Sequence, residues 1–218
     1  MKEIIHKEPF PHLIIEDFYD EEELELIWEE LNFYTKPGKL LNTKGYGGIA
    51  GKTNASALEL ESVYRDLRSK DGPDLRHLSN ILTVNRKIHI SGVLDTYSNI
   101  EDCCRLGNKS IHESTKIRYY HNGEYYKPHT DAQYQTLVFS YFYKEPKKFE
   151  GGELYFPNYD YEFSCLNNSI IIFPAWVEHG VKMIQIDDNN YYGGYGRYAI
   201  TTFLWIARPF NAIPFAKL

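Results

Sequence analysis

Cysteine is scarce in this sequence. There are three, Cys103, Cys104 and Cys165, an odd number with two adjacent. That excludes the even, spread pattern of a disulfide framework and suits a reducing compartment. Long apolar runs are missing too: no stretch of about 18 apolar residues occurs, and the N-terminus, MKEIIHKEPF, lacks the apolar core of a secretory leader. A cytoplasmic protein without a membrane anchor is expected. Basic residues are in the minority, 24 Lys and Arg against 30 Asp and Glu, for a formal net charge of −6. Such a balance leaves no general electrostatic footprint for nucleic acid. What the chain has in quantity is aromatic surface, 19 Tyr and 12 Phe, which favours strands and the walls of clefts.

A length of 218 residues suits a single domain with a substantial core. Its first part, 1–115, reads as a supporting region. His12 to Phe18 has the pattern of a strand. Asp20 followed three residues later by Glu23 has the pattern of a capping box, and Leu24, Ile27, Trp28 and Leu31 then recur at helical spacing. The run 35–52 holds five glycines and one proline and reads as a loop and candidate lid. Thr53 or Asn54 is positioned to cap a helix reaching about Ser69, and another helix is expected after Pro73, continuing toward Tyr97. The polar stretch from Ser98 to Thr115 reads as irregular.

From Lys116 the pattern changes to short β-rich runs at 116–121, 136–143, 153–156, 160–165, 169–173, 179–186 and 197–206. Seven or eight short strands predict a double-sheet jelly roll. The expected fold is therefore α+β, mainly β, a double-stranded β-helix core over 116–206 with an N-terminal helical layer and a tail at 207–218.

Eight histidines and thirty acidic residues give roughly one chance His-x-acid match in a chain of this size. Two occur. His6-Lys7-Glu8 lies in a charged terminus without apolar alternation and reads as chance. His129-Thr130-Asp131 is followed by the strand-rich region. Residues i and i+2 of a strand project from one face, so His129 and Asp131 can share a metal ion. A third ligand, His179, stands in the run FPAWVEHGV. Two imidazoles and one carboxylate leave coordination positions open, which suits an oxygen-activating Fe(II).

The order of these pieces, with GGELYF at 151–156, SIIIF at 169–173 and RYAITTFLW at 197–205, resembles the non-haem Fe(II) and 2-oxoglutarate-dependent dioxygenases, in particular their prolyl 4-hydroxylase-like branch. The resemblance runs roughly from Lys116 to Trp205, with a weaker echo from Pro9 to Phe18. It implies Fe(II) held by His129, Asp131 and His179, and 2-oxoglutarate with its distal carboxylate on Arg197, a forked guanidinium that matches it bidentately. The segment 187–196 makes the interval from His179 to Arg197 longer than is usual in that family, and it is a second candidate lid. Thr201 shares a strand face with Arg197 and can add a hydroxyl. Tyr120, in Tyr-x-x-Gly-x-x-Tyr-x-x-His, matches a tyrosine that contacts the co-substrate in that branch, and Tyr141 is a weaker analogue; both also read as core aromatics.

The implied chemistry is O₂-dependent decarboxylation of 2-oxoglutarate to succinate and CO₂, coupled to hydroxylation of a C–H bond, with ascorbate as a candidate reductant. Related halogenases lack the carboxylate ligand, so Asp131 favours hydroxylation. The favoured substrate is a prolyl residue in a peptide or protein, with a free amino acid or other small molecule as the alternative. Two further readings stay open: a jelly-roll module that binds without turnover, and a cupin-like enzyme using another metal. Nucleic-acid demethylases of the family carry a second arginine six residues after the first. Here that position is Phe203, so no nucleic-acid substrate is expected.

Overall fold

A computed structural model describes residues 1–34, 39, 41–42, 56–65 and 72–206. Its strands are β1 (Lys2–His6), β2 (His12–Glu16), β3 (Leu41–Asn42), β4 (Ser56–Glu59), β5 (His112–Tyr120), β6 (Tyr126–His129), β7 (Thr136–Phe142), β8 (Leu154–Phe156), β9 (Tyr161–Phe163), β10 (Ser169–Pro174), β11 (His179–Val181) and β12 (Arg197–Trp205). They form an eight-stranded sheet in the order β1-β2-β10-β7-β12-β5-β4-β3 and a four-stranded sheet in the order β6-β11-β8-β9. All the pairings are antiparallel. This is the expected jelly roll of an α+β, mainly β protein.

Side-chain alternation decides what each face of the large sheet meets. On β12, Tyr198, Ile200 and Leu204 join a core cluster shared with Ile27 and Leu31 of helix α1 (Glu21–Tyr34). Ala199, Phe203 and Trp205 turn the other way, into the cluster between the sheets. The same split holds on β7, with Val138 and Phe142 against Leu137, Phe139 and Tyr141, and on β10, with Ile170 and Ile172 against Ile171 and Phe173. Because both faces are covered, these three strands are buried from end to end. Each large apolar side chain buried in this way contributes about 1.5–3 kcal/mol.

The helical layer starts where the sequence places it. Asp20 Oδ1 accepts from Glu23 N at 3.0 Å and Glu23 Oε2 accepts from Asp20 N at 2.9 Å, a reciprocal cap that satisfies free backbone donors of α1. Further along α1, the buried carboxylate of Glu30 accepts from Ser79 Oγ at 2.9 Å and from Ile81 N at 2.7 Å. It thereby ties α1 to the start of helix α3 (Asn80–Asn85).

Several expectations are corrected. Of the helix expected over 53–69, residues 56–59 form β4, paired with β5 from Ala57 opposite Arg118 to Glu59 opposite Lys116, and among the described residues of that span only Glu61–Tyr64 is helical (α2). Thr53, Asn54 and 66–69 lie outside the described residues, as do most of the candidate lid 35–52 and the tail 207–218. The helix expected from Pro73 toward Tyr97 is divided into a 3₁₀ turn at Arg76–Leu78, α3, α4 (Lys87–Ile90) and α5 (Val93–Ser98). Gly92, at φ +86°, takes the left-handed conformation that separates α4 from α5. The charged N-terminus is strand β1, and β5 begins inside the stretch read as irregular. The strand expected over 179–186 stops at Val181. Within 187–196, Asp188–Tyr192 is a short helix, α6, whose Tyr191 ring stacks on Tyr119 at 4.7 Å. Among the described residues no helix is long and apolar enough to cross a membrane.

Candidate functional site

His129 ends β6 and His179 begins β11, and the two are paired across the antiparallel ladder of the small sheet. Four strands, β7 to β10, intervene in sequence. Asp131 lies beyond the end of β6 rather than on it, a correction to the shared strand face. Its position is set by the backbone: its N–H donates to Ala175 O at 2.9 Å and its carbonyl accepts from Tyr134 N at 2.9 Å. Asp131 Oδ2 is thereby 3.6 Å from His129 Nε2 and 3.6 Å from His179 Nε2. One ligand atom from each residue lies within 4.8 Å of the others, a grouping able to hold one metal ion.

The imidazoles are aimed by the same device. His129 Nδ1 bonds Lys127 O at 2.8 Å and His179 Nδ1 bonds Val177 O at 3.0 Å, in each case the carbonyl two residues back. Bonding at Nδ1 leaves Nε2 with its lone pair toward Asp131, the arrangement a metal-binding histidine needs. His179 Nε2 is buried without a hydrogen-bond partner. Burial, with the nearby charge of His129, lowers the His179 pKa to about 4, so its ring is neutral near pH 7. Burial raises the Asp131 carboxyl, but the two imidazoles and Arg118 outweigh it and the net shift is downward. Two imidazole Nε2 atoms and an ionised carboxylate are the donor set that Fe(II) requires.

The other end of the cavity belongs to the large sheet. Arg197 opens β12, is 2% exposed, and stands in register with Tyr120 of β5. Its guanidinium carbon is 4.7 Å from the centre of the Tyr120 ring and 4.7 Å from that of Tyr141. Nη2 approaches Cys165 Sγ at 3.8 Å, while Nε and Nη1 have no hydrogen-bond partner. A buried guanidinium with two unused donors is a receptor for an anion. Gly152, at φ +82°, lets the chain pass this side chain: a Cβ there would lie 2.6 Å from Arg197 Cδ.

Thr201 is on the same face of β12 as Arg197, as expected, but its Oγ1 accepts from Arg118 Nη1 at 3.1 Å. Arg118 was not among the residues picked out in the sequence. It lines the same cavity as the triad, Arg197 and Tyr120. The signal was present, since 116, 118 and 120 alternate on one face of β5 and Tyr120 had been singled out. Tyr126 and Phe139 also line the cavity. The Tyr126 ring lies 4.5 Å from that of His129 and 5.1 Å from the Arg118 guanidinium.

Residues 115–205 match the family model described as the 2OG-Fe(II) oxygenase superfamily. No curated protein matches the chain in sequence. Solved structures do match. A prolyl-4-hydroxylase from Pseudomonas putida has 11% identity over 90% of this chain and 93% of its own, with a TM-score of 0.53. An oxidoreductase of the 2OG-Fe(II) oxygenase family from Burkholderia pseudomallei has 14% identity over 93% and 89%, with a TM-score of 0.57. A prolyl 4-hydroxylase from Phytophthora capsici has 15% identity over 88% and 58%, with a TM-score of 0.54. Likeness at these identities establishes the fold. The family match covers the strands that carry the site, so the resemblance to the 2OG-Fe(II) oxygenases lies where the candidate ligands lie. Residues 115–205 are similar to the 2-oxoglutarate-dependent dioxygenases, and the fold is similar to that of a prolyl 4-hydroxylase.

Proposed function

We propose that this chain, acting as a single domain, hydroxylates a C–H bond of a prolyl residue in a peptide or protein, with 2-oxoglutarate converted to succinate and CO₂. The observation that carries this reading is one cavity holding His129, Asp131 and His179 at one end and the unpaired guanidinium of Arg197 at the other. His129, Asp131 and His179 would hold Fe(II), and Arg197 the distal carboxylate of 2-oxoglutarate, between the rings of Tyr120 and Tyr141. When bound, the iron and co-substrate supply the O₂ activation that no side chain can provide.

The protein's contribution is placement. The bonds from the imidazole Nδ1 atoms to Lys127 O and Val177 O hold both rings in the ligating tautomer. Arg197 anchors the co-substrate by a charge it cannot lose. Phe139, Val181 and Phe203 line the walls and keep bulk water from the reacting centre. The prolyl assignment rests on the Tyr120 to His129 motif and on the prolyl hydroxylases among the structural neighbours.

The test is incubation with Fe(II), ascorbate, 2-oxoglutarate and proline-containing peptides. Succinate is expected to form together with a peptide heavier by one oxygen, and His129→Ala is expected to abolish both. Protein that forms no succinate, coupled or uncoupled, and binds no 2-oxoglutarate with Fe(II) under anaerobic conditions would instead be a non-catalytic jelly-roll module.

A further inference from the structure

The proposed chemistry uses one of the cavity's two guanidinium groups and leaves Arg118 unassigned. Arg118 is 8% exposed, donates from Nη1 to Thr201, and has no hydrogen-bond partner for Nε. Its opposite neighbours on the adjoining strands are both alanines, Ala57 on β4 and Ala199 on β12, and neither can neutralise it. Asp131 is a carboxylate whose field reaches it, and that acid belongs to the proposed metal set. Two residues earlier on the same face of β5 stands Lys116, its Nζ 4.8 Å from the centre of the Phe203 ring. Burial and the charge of Arg118 lower the Lys116 pKa, although Glu59 opposite it works the other way. Two cations therefore stand close together on one face of β5, Arg118 in the cavity lining and Lys116 next to it.

A charge count shows what they lack. The two charges of Fe(II) and the one on Arg197 are cancelled by Asp131 and the two carboxylates of 2-oxoglutarate, with both imidazoles neutral as ligands. Lys116 has Glu59 opposite it, and the charge on Arg118 is left over. A buried guanidinium without a counter-charge is costly, and a fork with a free N–H is shaped for a carboxylate.

Resting on the 2-oxoglutarate reading above, we propose that Arg118, with Lys116 beside it, binds a carboxylate of the primary substrate. The prolyl group presented to the metal is then part of an anion, either a chain-terminal prolyl acid or a prolyl residue beside an acidic side chain. Arg118 is thus a substrate-binding residue that selects for charge.

The test uses wild-type protein loaded anaerobically with Fe(II) and 2-oxoglutarate and titrated calorimetrically with two matched pairs of probes. One pair is N-acetyl-L-proline and N-acetyl-L-prolinamide; the other is acetyl-Gly-Pro-Glu-Gly-amide and its Gln counterpart. The acid of at least one pair is expected to bind about tenfold more tightly than its neutral partner, the scale of a charge-assisted hydrogen bond. The pair that shows the preference tells a terminal carboxylate from a side-chain one. Arg118→Gln is expected to abolish the preference while holding 2-oxoglutarate within about threefold of wild type. Arg118→Lys, which keeps the charge but not the fork, is expected to retain part of it.

Absence of an acid preference in both pairs, through equal binding or no binding, overturns the proposal. So does an Arg118→Gln protein whose 2-oxoglutarate affinity falls about tenfold or more, because the group would then belong to the co-substrate. The wild-type comparison decides the matter even where Arg118→Gln does not fold. Titration with 2-oxoglutarate alone separates the two readings. Wild-type protein that does not bind it fails the proposed function, whereas one that binds it and ignores the carboxylates fails only this inference.

Discussion

At its metal end the cavity is built from short pieces of the small sheet, the four residues of its edge strand β6, the three of the neighbouring β11, and Asp131 past the end of its strand. At its arginine end it rests on β5 and β12, nine residues each, and the seven of β7, all inside the large sheet. The two ends reach precision by different means. Short strands leave little ladder to fix a side chain, so the imidazoles are aimed by bonds to carbonyls of their own segments and the acid by its N–H to Ala175 O. Long, fully paired strands need no such bonds. Arg197 is held by its register with Tyr120, by two flanking rings and by the absence of a Cβ at Gly152. A rigidly held guanidinium therefore faces a group of side chains that could hold a metal ion, and lesions at the two ends should separate.

The largest effect is expected at the metal end. Asp131→Ala removes a ligand, so Fe(II) affinity should fall by more than the roughly 10- to 100-fold cost of losing an outer-sphere partner, with succinate formation below detection. Metal titration checks this, and a wild-type affinity in the variant would place the metal elsewhere. Next in size is Arg197→Met, which keeps much of the apolar stem and removes the fork. It should weaken 2-oxoglutarate on the order of 10- to 100-fold while leaving Fe(II) affinity unchanged. Parallel titrations with metal and with co-substrate test the separation, which is lost where Arg197→Met also releases the metal.

The sequence is legible where local rules act alone. The reciprocal cap of Asp20 and Glu23 needs only four residues of context, and α1 follows from it. The apolar runs of β7, β10 and β12 announce buried strands because both faces of the large sheet are covered. Residues 56–59 were misread as helix because what makes them a strand is pairing with β5, more than fifty residues away in sequence. At the site, the chemical types of His129 and His179 were visible, but their opposition across a ladder depends on the sheet order. Asp131 comes beside both histidines through a turn and not through strand parity. Parity along β5 puts 116, 118 and 120 on one face and so places Arg118 beside Tyr120.

The smallest predicted effect tests the same contrast with protons. Burial holds His179 at a pKa of about 4, below its ordinary 6.5, when no metal is bound. Between those values the unfolded chain binds more protons than the folded one, so stability rises with pH. The contribution of His179 is whole above about pH 6.5 and is lost as the pH falls toward 4. The guanidinium groups stay charged throughout and add no slope. Asp131, held below its ordinary 3.8, loses its contribution only at more acid pH. His12 on β2, lowered to about 4 chiefly by burial, adds a second slope of the same sign. Metal-free protein should therefore lose on the order of 1–2 kcal/mol through His179 between about pH 7 and 5. Denaturant midpoints of wild type and His179→Gln across that range check it. Glu61, its carboxyl pushed up to about 7 chiefly by burial, gives a slope of opposite sign. The variant should keep the His12 and Glu61 slopes and lose only the His179 part, and an unchanged slope would mean that His179 is solvated at the metal end rather than buried there.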